Sequence, residues 1–314
     1  MGYKLAGFEV LGNCEIDPDM NKVYVSNHHP KHSFLMDIRD FYSIPNDNLP
    51  PELFDLDVLD GSPPCSVFSM AGEREGAWNK DKVFREGQKQ QRLDDLFFEF
   101  IKVAKKLKPR IVIAENVKGL VTGNAKGYVN EIIKAFDDAG YRVQLFLLNA
   151  AQMGVPQARE RVFFICRRKD LDLPKLALSF SEKPILFGQV RSKYGIPFTD
   201  NGALTKELLN HRRPGDKCLA DINKRVRGVD SSFTNSIMSD DRVASTIASG
   251  ASYYRMYDGM KLSNEDYINV QTFPQDYDVC GQSTKYICGM SVPPVMMANI
   301  AAEVFDQWLS RLDE

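Results

Sequence analysis

Residues 93–117 read LDDLFFEFIKVAKKLKPRIVIAENV, and this stretch decides the fold. Its first part places Leu93, Leu96, Phe97, Phe100, Ile101, Ala104 and Leu107 at helical spacing. Residues 110–114 then give a short apolar run, the signal of a buried strand. That run ends in Glu115-Asn116-Val117. A carboxyl at the end of a buried strand is desolvated, so its pKa should rise and it can donate a proton near neutral pH. The plainer alternative for Glu115 is a capping or structural carboxylate.

Outward from this stretch the same alternation continues. Residues 8–16 form an apolar run ending in Glu15-Ile16-Asp17, and residues 18–25 look like a helix opened by Pro18. Residues 55–59 form a second run, ending in Gly61-Ser62-Pro63-Pro64-Cys65. Residues 128–139 read as a helix stopping at Gly140. Residues 143–148 and 162–166 read as strands. Strands alternating with helices predict an α/β fold with a mostly parallel sheet. Ligands of such sheets bind beyond the carboxyl ends of the strands. Glu15, Cys65 and Glu115 stand at three such ends, so one crevice is expected to hold all three.

Composition bounds the remainder. The chain has 314 residues, 43% hydrophobic and 26% charged, which excludes disorder or coiled coil as the main state. No run of about 18 apolar residues is present, and the N-terminus lacks a signal-peptide core. The net charge of −2 carries no global signature of nucleic-acid binding. Residues 189–228 differ, with nine basic and four acidic side chains. That excess is either a solvated face or a phosphate-contacting surface. The six cysteines form no C-x-x-C pair, which fits a reducing cytosol better than a disulfide framework or zinc cage. His28, His29 and His32 are read as a loop around Pro30, and no metal is assigned.

Two further segments carry candidate chemistry. Pro63 and Pro64 fix the backbone just before Cys65, which suits a sulfur that must be aimed. A lone cysteine is otherwise an inert buried hydrophobe. Gln157-Ala158-Arg159-Glu160-Arg161 precedes a strand, and on an extended chain Arg159 and Arg161 share one side. Two guanidiniums aimed the same way can hold a carboxylate, a phosphate or a carbonyl oxygen.

Taken together and in order, these segments resemble the cytosine-C5 DNA methyltransferases. Pro63-Pro64-Cys65 with Phe68-Ser69 resembles the nucleophile motif. Glu115-Asn116-Val117 resembles the ENV motif, and Gln157-x-Arg159-x-Arg161 the QxRxR motif, with Gly154-Val155-Pro156 leading in. Gln271-Thr272-Phe273-Pro274 and Gly289-Met290-Ser291-Val292-Pro293-Pro294 resemble the two late blocks. The resemblance implies a Rossmann-like S-adenosylmethionine-dependent methyltransferase sheet with a smaller target-recognition domain. It divides the chain into a catalytic domain at 1–174 with 246–314 returning to it, and a recognition domain at 175–245. It implies Cys65 as nucleophile toward C6 of a flipped cytosine, with Glu115, Arg159 and Arg161 as its catalytic partners.

The same resemblance implies cofactor contacts at Glu15, Ile16, Asp37, Pro63, Leu96, Ser291 and Val292. Pro64, Ser69 and Gln157, with Arg212, Arg213, Arg225 and Arg227 of the basic stretch, are expected at double-stranded DNA. Residues 74–92 are expected to form a loop closing over the base. Two departures stand out. The family opens with a strand and a DxFxGxGG loop, whereas this sequence starts at Met1-Gly2-Tyr3-Lys4, where the following helix should be under way. A start-site difference, a truncation or supply by another chain would each account for that. Met290 stands where an asparagine is usual. The expectation is a monomeric, cytoplasmic, nucleoid-associated DNA modification enzyme, with a cognate restriction endonuclease as a candidate partner. A tRNA cytosine methyltransferase and a non-catalytic DNA-binding remnant are the alternatives.

Overall fold

The computed structural model describes residues 1–63, 95–122, 126–197, 202–231 and 235–312. Pro64, Cys65, Ser69 and the expected closing loop at 74–92 lie outside the described residues.

The chain opens with α1 (Gly2–Leu5), which packs on the C-terminal helix so closely that a Cβ on Gly2 would meet Met297 at 2.5 Å. Strand β1 (Gly12–Glu15) pairs in parallel with β2 (His32–Leu35) across helix α2 (Pro18–His28). Asp17 caps α2 by accepting from the backbone of Asp19 and Met20. The helix runs further than the sequence suggested, so His28 is helical and His32 begins a strand rather than sharing a loop. Helix α3 (Ile38–Ser43) follows, capped by Asp37.

A four-stranded sheet carries the rest of the first half. Its strands are β3 (Val58–Gly61), β4 (Ile111–Val117), β5 (Tyr141–Asn149) and, after the two-residue β6 (Gln157–Ala158), β7 (Glu160–Arg168). Helices α4 (Leu96–Leu107) and α5 (Lys126–Asp138) connect them. The order is β3-β4-β7-β5. The mostly parallel sheet expected from the sequence is present: β3, β4 and β5 run one way, and β7 alone is reversed, antiparallel to both β4 and β5. The cause is the link between β5 and β7: residues 150–159 are too few for the crossover that a parallel pair needs.

β4 is covered on both sides. Val112 and Ala114 join Phe97, Phe100, Ile101 and Ala104 of α4 in one core. Ile111 and Ile113 join Met296, Ile300 and Val304 of the last helix in another. A fully buried central strand explains the unbroken apolar run in the sequence. α4 lies so near β3 that a Cβ on Gly61 would stand 2.5 Å from the Phe100 ring.

The second half contains α6 (Phe187–Val190), α7 (Ala203–Asn210), α8 (Leu219–Arg227), β8 (Ser236–Met238), β9 (Ala244–Ser245) and β10 (Tyr253–Arg255). Helices α9 (Asn264–Gln271), α10 (Thr284–Met290) and α11 (Pro294–Gln307) complete it. α7 and α8 arise where sequence alternation fades, because Leu208, Leu209, Leu219 and Ile222 are buried with Ile237 and Tyr254. A further core joins Phe187, Met238, Ile247, Tyr253, Leu262 and Val270 and so spans both sides of residue 245. Residues 284–311 reach a mean hydropathy of 1.3 in their most apolar window. They are broken into α10 and α11 before Pro294, and Met296, Ile300, Val304 and Trp308 are fully buried in the core.

Candidate active site

A cavity of about 2080 Å³ runs along β1 and β3 and past the C-terminal end of β4. Glu15 and Ile16 line it from the end of β1, Ser62 and Pro63 from the end of β3, and Glu115 and Asn116 from β4. The expected meeting of strand ends therefore holds for Glu15 and Glu115, while Cys65 lies outside the described residues, two positions beyond Pro63.

The centre of the site is the Glu115–Arg161 pair, with Arg161 Nε 2.8 Å from Glu115 Oε1. Antiparallel pairing creates it. Glu115 stands opposite Phe163 and Val117 opposite Arg161, so Glu115 and Arg161 are diagonal neighbours on one face. Their side chains are 15% and 13% exposed, open only toward the cavity. Burial raises the Glu115 carboxyl above the usual carboxylate range, against the opposing pull of Arg161, Arg159 and a Ser62 hydrogen bond. Burial likewise lowers the Arg161 guanidinium. A carboxyl and a guanidinium side by side can grip a planar group that offers a nitrogen and a carbonyl oxygen.

All seven residues expected at the cofactor line this same cavity: Glu15, Ile16, Asp37, Pro63, Leu96, Ser291 and Val292. Glu15 Oε1 accepts from Asp17 N, and its carboxyl is raised by burial. Ile16 is 40% exposed, an apolar face presented at the cavity wall. The Asp37 carboxylate accepts from Arg39 N and pairs with the Arg39 guanidinium at 3.1 Å. Ser291 donates its hydroxyl to Ile287 O and presents its carbonyl to Gln271 Nε2. Carboxylate acceptors beside an apolar face fit a nucleoside, with its diol and its aromatic base.

Arg159 is 2% exposed and outside either strand, yet it lines the same cavity as Arg161 and acts on the Glu115 carboxyl. The break between β6 and β7 turns it inward, where it donates to Ile247 O and Gly289 O, both at 2.9 Å. Gln157, expected near DNA, is fully buried. It donates to Gln271 Oε1 at 2.7 Å and accepts from Ile247 N at 3.0 Å. Gln157 and Arg159 thus clamp the segments around residues 247, 271 and 289 onto the sheet edge. A Cβ on Gly289 would run into the backbone of Ser249, so the clamped segments touch directly.

The four basic residues expected at DNA divide into two kinds. Arg212 is held by the protein, donating to Met256 O, Leu209 O and Tyr257 O. Arg225 pairs with Asp216 at 2.6 Å and donates to His211 O. Arg213 and Arg227 are exposed.

Two residues of the site had escaped sequence reasoning. Asn116, 4% exposed, donates to Pro63 O at 3.1 Å and so holds the segment that leads into Cys65. Gln271 relays Gln157 to Ser291. Both lie inside the quoted motifs, where their buried amides were the available signal.

A family model described as C-5 cytosine-specific DNA methylase matches residues 1–306. The type II methyltransferase M.FnuDI of Fusobacterium nucleatum is 32% identical over 77% of this chain, and the match covers 63% of that enzyme. The type II methyltransferase M1.HphI of Haemophilus parahaemolyticus is 28% identical over 97% of this chain and 82% of its own length. The crystal structure of a Spodoptera frugiperda DNMT2 mutant matches with a TM-score of 0.63 at 17% identity, covering 97% of this chain and 95% of that one.

Proposed function

Because the chain belongs to the C-5 cytosine-specific DNA methylase family, we propose that it methylates C5 of a cytosine within a fixed short sequence of duplex DNA. The observation that carries this reading is the Glu115–Arg161 pair at 2.8 Å, in the same cavity as the expected cofactor residues. A cytosine presents N3, an exocyclic amine and O2 along one edge. Glu115, whose carboxyl is raised above the usual carboxylate range by burial, donates to N3 and accepts from the amine. Arg161 holds O2, where negative charge develops as C6 is attacked.

Cys65 is the nucleophile in this reading, adding as thiolate to C6 of a base rotated out of the stack. Asn116 aims it by holding Pro63. When bound, S-adenosylmethionine supplies the methyl group from its sulfonium. Glu15 takes the ribose hydroxyls and Ile16 packs on the adenine, with Asp37 at the adenine amine. Pro63, Leu96, Ser291 and Val292 close the remaining walls. Loss of the C5 proton then lets the Cys65–C6 bond break and restores the thiolate. Arg159 and Gln157 act as positioning residues. Pro64 and Ser69 serve in binding the DNA, and Arg213 and Arg227 contact phosphates.

A cytoplasmic, nucleoid-associated enzyme of DNA modification is the setting proposed, with a restriction endonuclease of the same specificity as its counterpart. The test is expression in a host lacking cytosine methylation, followed by bisulfite sequencing of its DNA. Protected cytosines in one short context are expected. Uniform conversion by a folded protein that binds S-adenosylmethionine would overturn the proposal.

A further inference from the structure

The turn after β10 presents an aromatic ring to solvent, with one guanidinium over the ring and another on the turn's backbone. Tyr257 is 66% exposed. The Arg191 guanidinium lies over its ring, 4.4 Å from the centroid. Arg191 is itself fixed, since its Nε donates to both carboxylate oxygens of Asp240 at 3.0 and 2.9 Å. From below, Arg212 Nε donates to Met256 O at 2.6 Å and its Nη2 to Tyr257 O at 3.2 Å. The turn closes through Gly259 N to Arg255 O at 2.9 Å and Arg255 N to Met260 O at 2.8 Å. Gly259 has φ +75°, and a Cβ there would stand 2.9 Å from Arg212 Nη1.

An exposed tyrosine ordinarily needs no support. Here two arginines and a buried Arg255–Asp258 ion pair at 3.0 Å hold the turn that carries one. Rigidity in a solvent-facing ring reduces the entropy lost when it meets a partner. The neighbouring segment repeats the motif: Tyr194 is 71% exposed, with Lys193 Nζ 5.1 Å from its ring centroid. Ile196 pairs with Lys261 next to the turn, which places both segments on one surface. Aromatic faces backed by cations, beside the 189–228 stretch whose Arg191 and Arg212 support Tyr257 and which holds nine basic and four acidic residues, complement a partner that is anionic and built from flat rings. That partner chemistry is nucleic acid.

We propose that Tyr257, backed by Arg191, contacts a base of the recognition sequence and sets part of its specificity. The inference rests on the DNA-methylating function proposed above. Phosphate contacts give affinity without sequence information, whereas a fixed ring against a base edge or face discriminates.

The experiment is selection from a random duplex DNA library by the full-length chain in the presence of S-adenosylhomocysteine. Wild type, Tyr257→Ala and Tyr257→Phe are compared. Wild type is expected to enrich a short motif. Tyr257→Ala should lose preference at one or two positions of that motif and bind the selected duplex about tenfold or more weakly. Its affinity for unselected duplex should change less than about twofold, and Tyr257→Phe should keep the motif because the ring remains. Enrichment of the same motif by Tyr257→Ala at unchanged affinity overturns the role of Tyr257 and leaves the proposed function standing. Failure of wild type to enrich any motif overturns both.

Discussion

Two arginines, Arg161 and Arg191, show how differently the two halves of this molecule use the same side chain. Each is fixed by a carboxylate, Glu115 in one case and Asp240 in the other. Arg161 sits between central strands, and its position follows from the register of β4 against β7. Arg191 sits at the end of α6 and supports a ring on a turn. The first arrangement cannot shift without moving the sheet. The second can be exchanged without touching the core. Chemistry common to every substrate belongs on the rigid element, and discrimination among substrates belongs on the replaceable one.

The contrast is broken most severely at the sheet. If the proposed function holds, Arg161→Ala removes the proposed O2 contact and should lower methyl transfer by about 10²–10³-fold. It also strands the buried Glu115 carboxylate, at a cost of about 3 kcal/mol or more. Single-turnover rates and urea unfolding measure the two effects separately. An active, fully stable variant would remove Arg161 from the centre of the site. Next in size is Arg159→Met, which leaves Ile247 O and Gly289 O without their buried donor. A loss of about 3 kcal/mol in stability is expected, with the sequence preference of residual activity unchanged. A shifted preference would mean that the clamp also shapes recognition.

Titration sharpens the contrast within the first half. Asp60, on the cavity wall, has its carboxyl pushed up to about 6 by desolvation, and His28 is pushed down to about 4 by burial and by the nearby N-terminus and Lys4. The raised Asp60 contributes stability below about pH 4 that is lost as pH rises through about 6. The lowered His28 contributes stability above about pH 6.5 that is lost as pH falls toward 4. Asp60→Asn should therefore flatten the high-pH loss and His28→Gln the low-pH loss, read by denaturant midpoints between pH 4 and 8. Unchanged profiles would show that neither group titrates as its surroundings dictate.

The smallest effects belong to the basic surface. Arg213→Ala and Arg227→Ala should each lower the salt dependence of DNA binding by about one unit of slope, with thermal stability unaltered. Arg212→Ala should instead lower the melting midpoint, because Arg212 ties Leu209, Met256 and Tyr257 together. If all three behave alike, the division of these arginines into structural and phosphate-facing groups fails.

The sheet was largely legible in the sequence because burial on both faces writes an unbroken apolar run, as in β4. The reversal of its one antiparallel strand was not. Periodicity is the same for parallel and antiparallel strands, so only the short 150–159 link could have announced that β7 runs back. The same blindness hid the fate of Arg159. Alternation places it on the cavity with Arg161 but says nothing of Ile247 O and Gly289 O, the remote carbonyls that hold it. Glu15, Ile16, Asp37, Ser291 and Val292 were found through motif order, and one cavity gathers them. The Tyr257 turn left no motif, since its support comes from Arg191 and Arg212, distant in sequence and ordinary in type.

The Arg159 clamp also sets an order of events during synthesis. Its two carbonyl partners lie 88 and 130 residues further along the chain. Contacts so remote close large loops, and their entropy must be overcome before they stabilise anything. A ribosome that has just released β7 has made every strand of the larger sheet, yet Arg159 still lacks both acceptors. The site can lock only after α10 emerges. The nascent chain therefore passes more than a third of its synthesis with the strands of the site made and its clamp open, and the cavity is closed only once its last helices are in place.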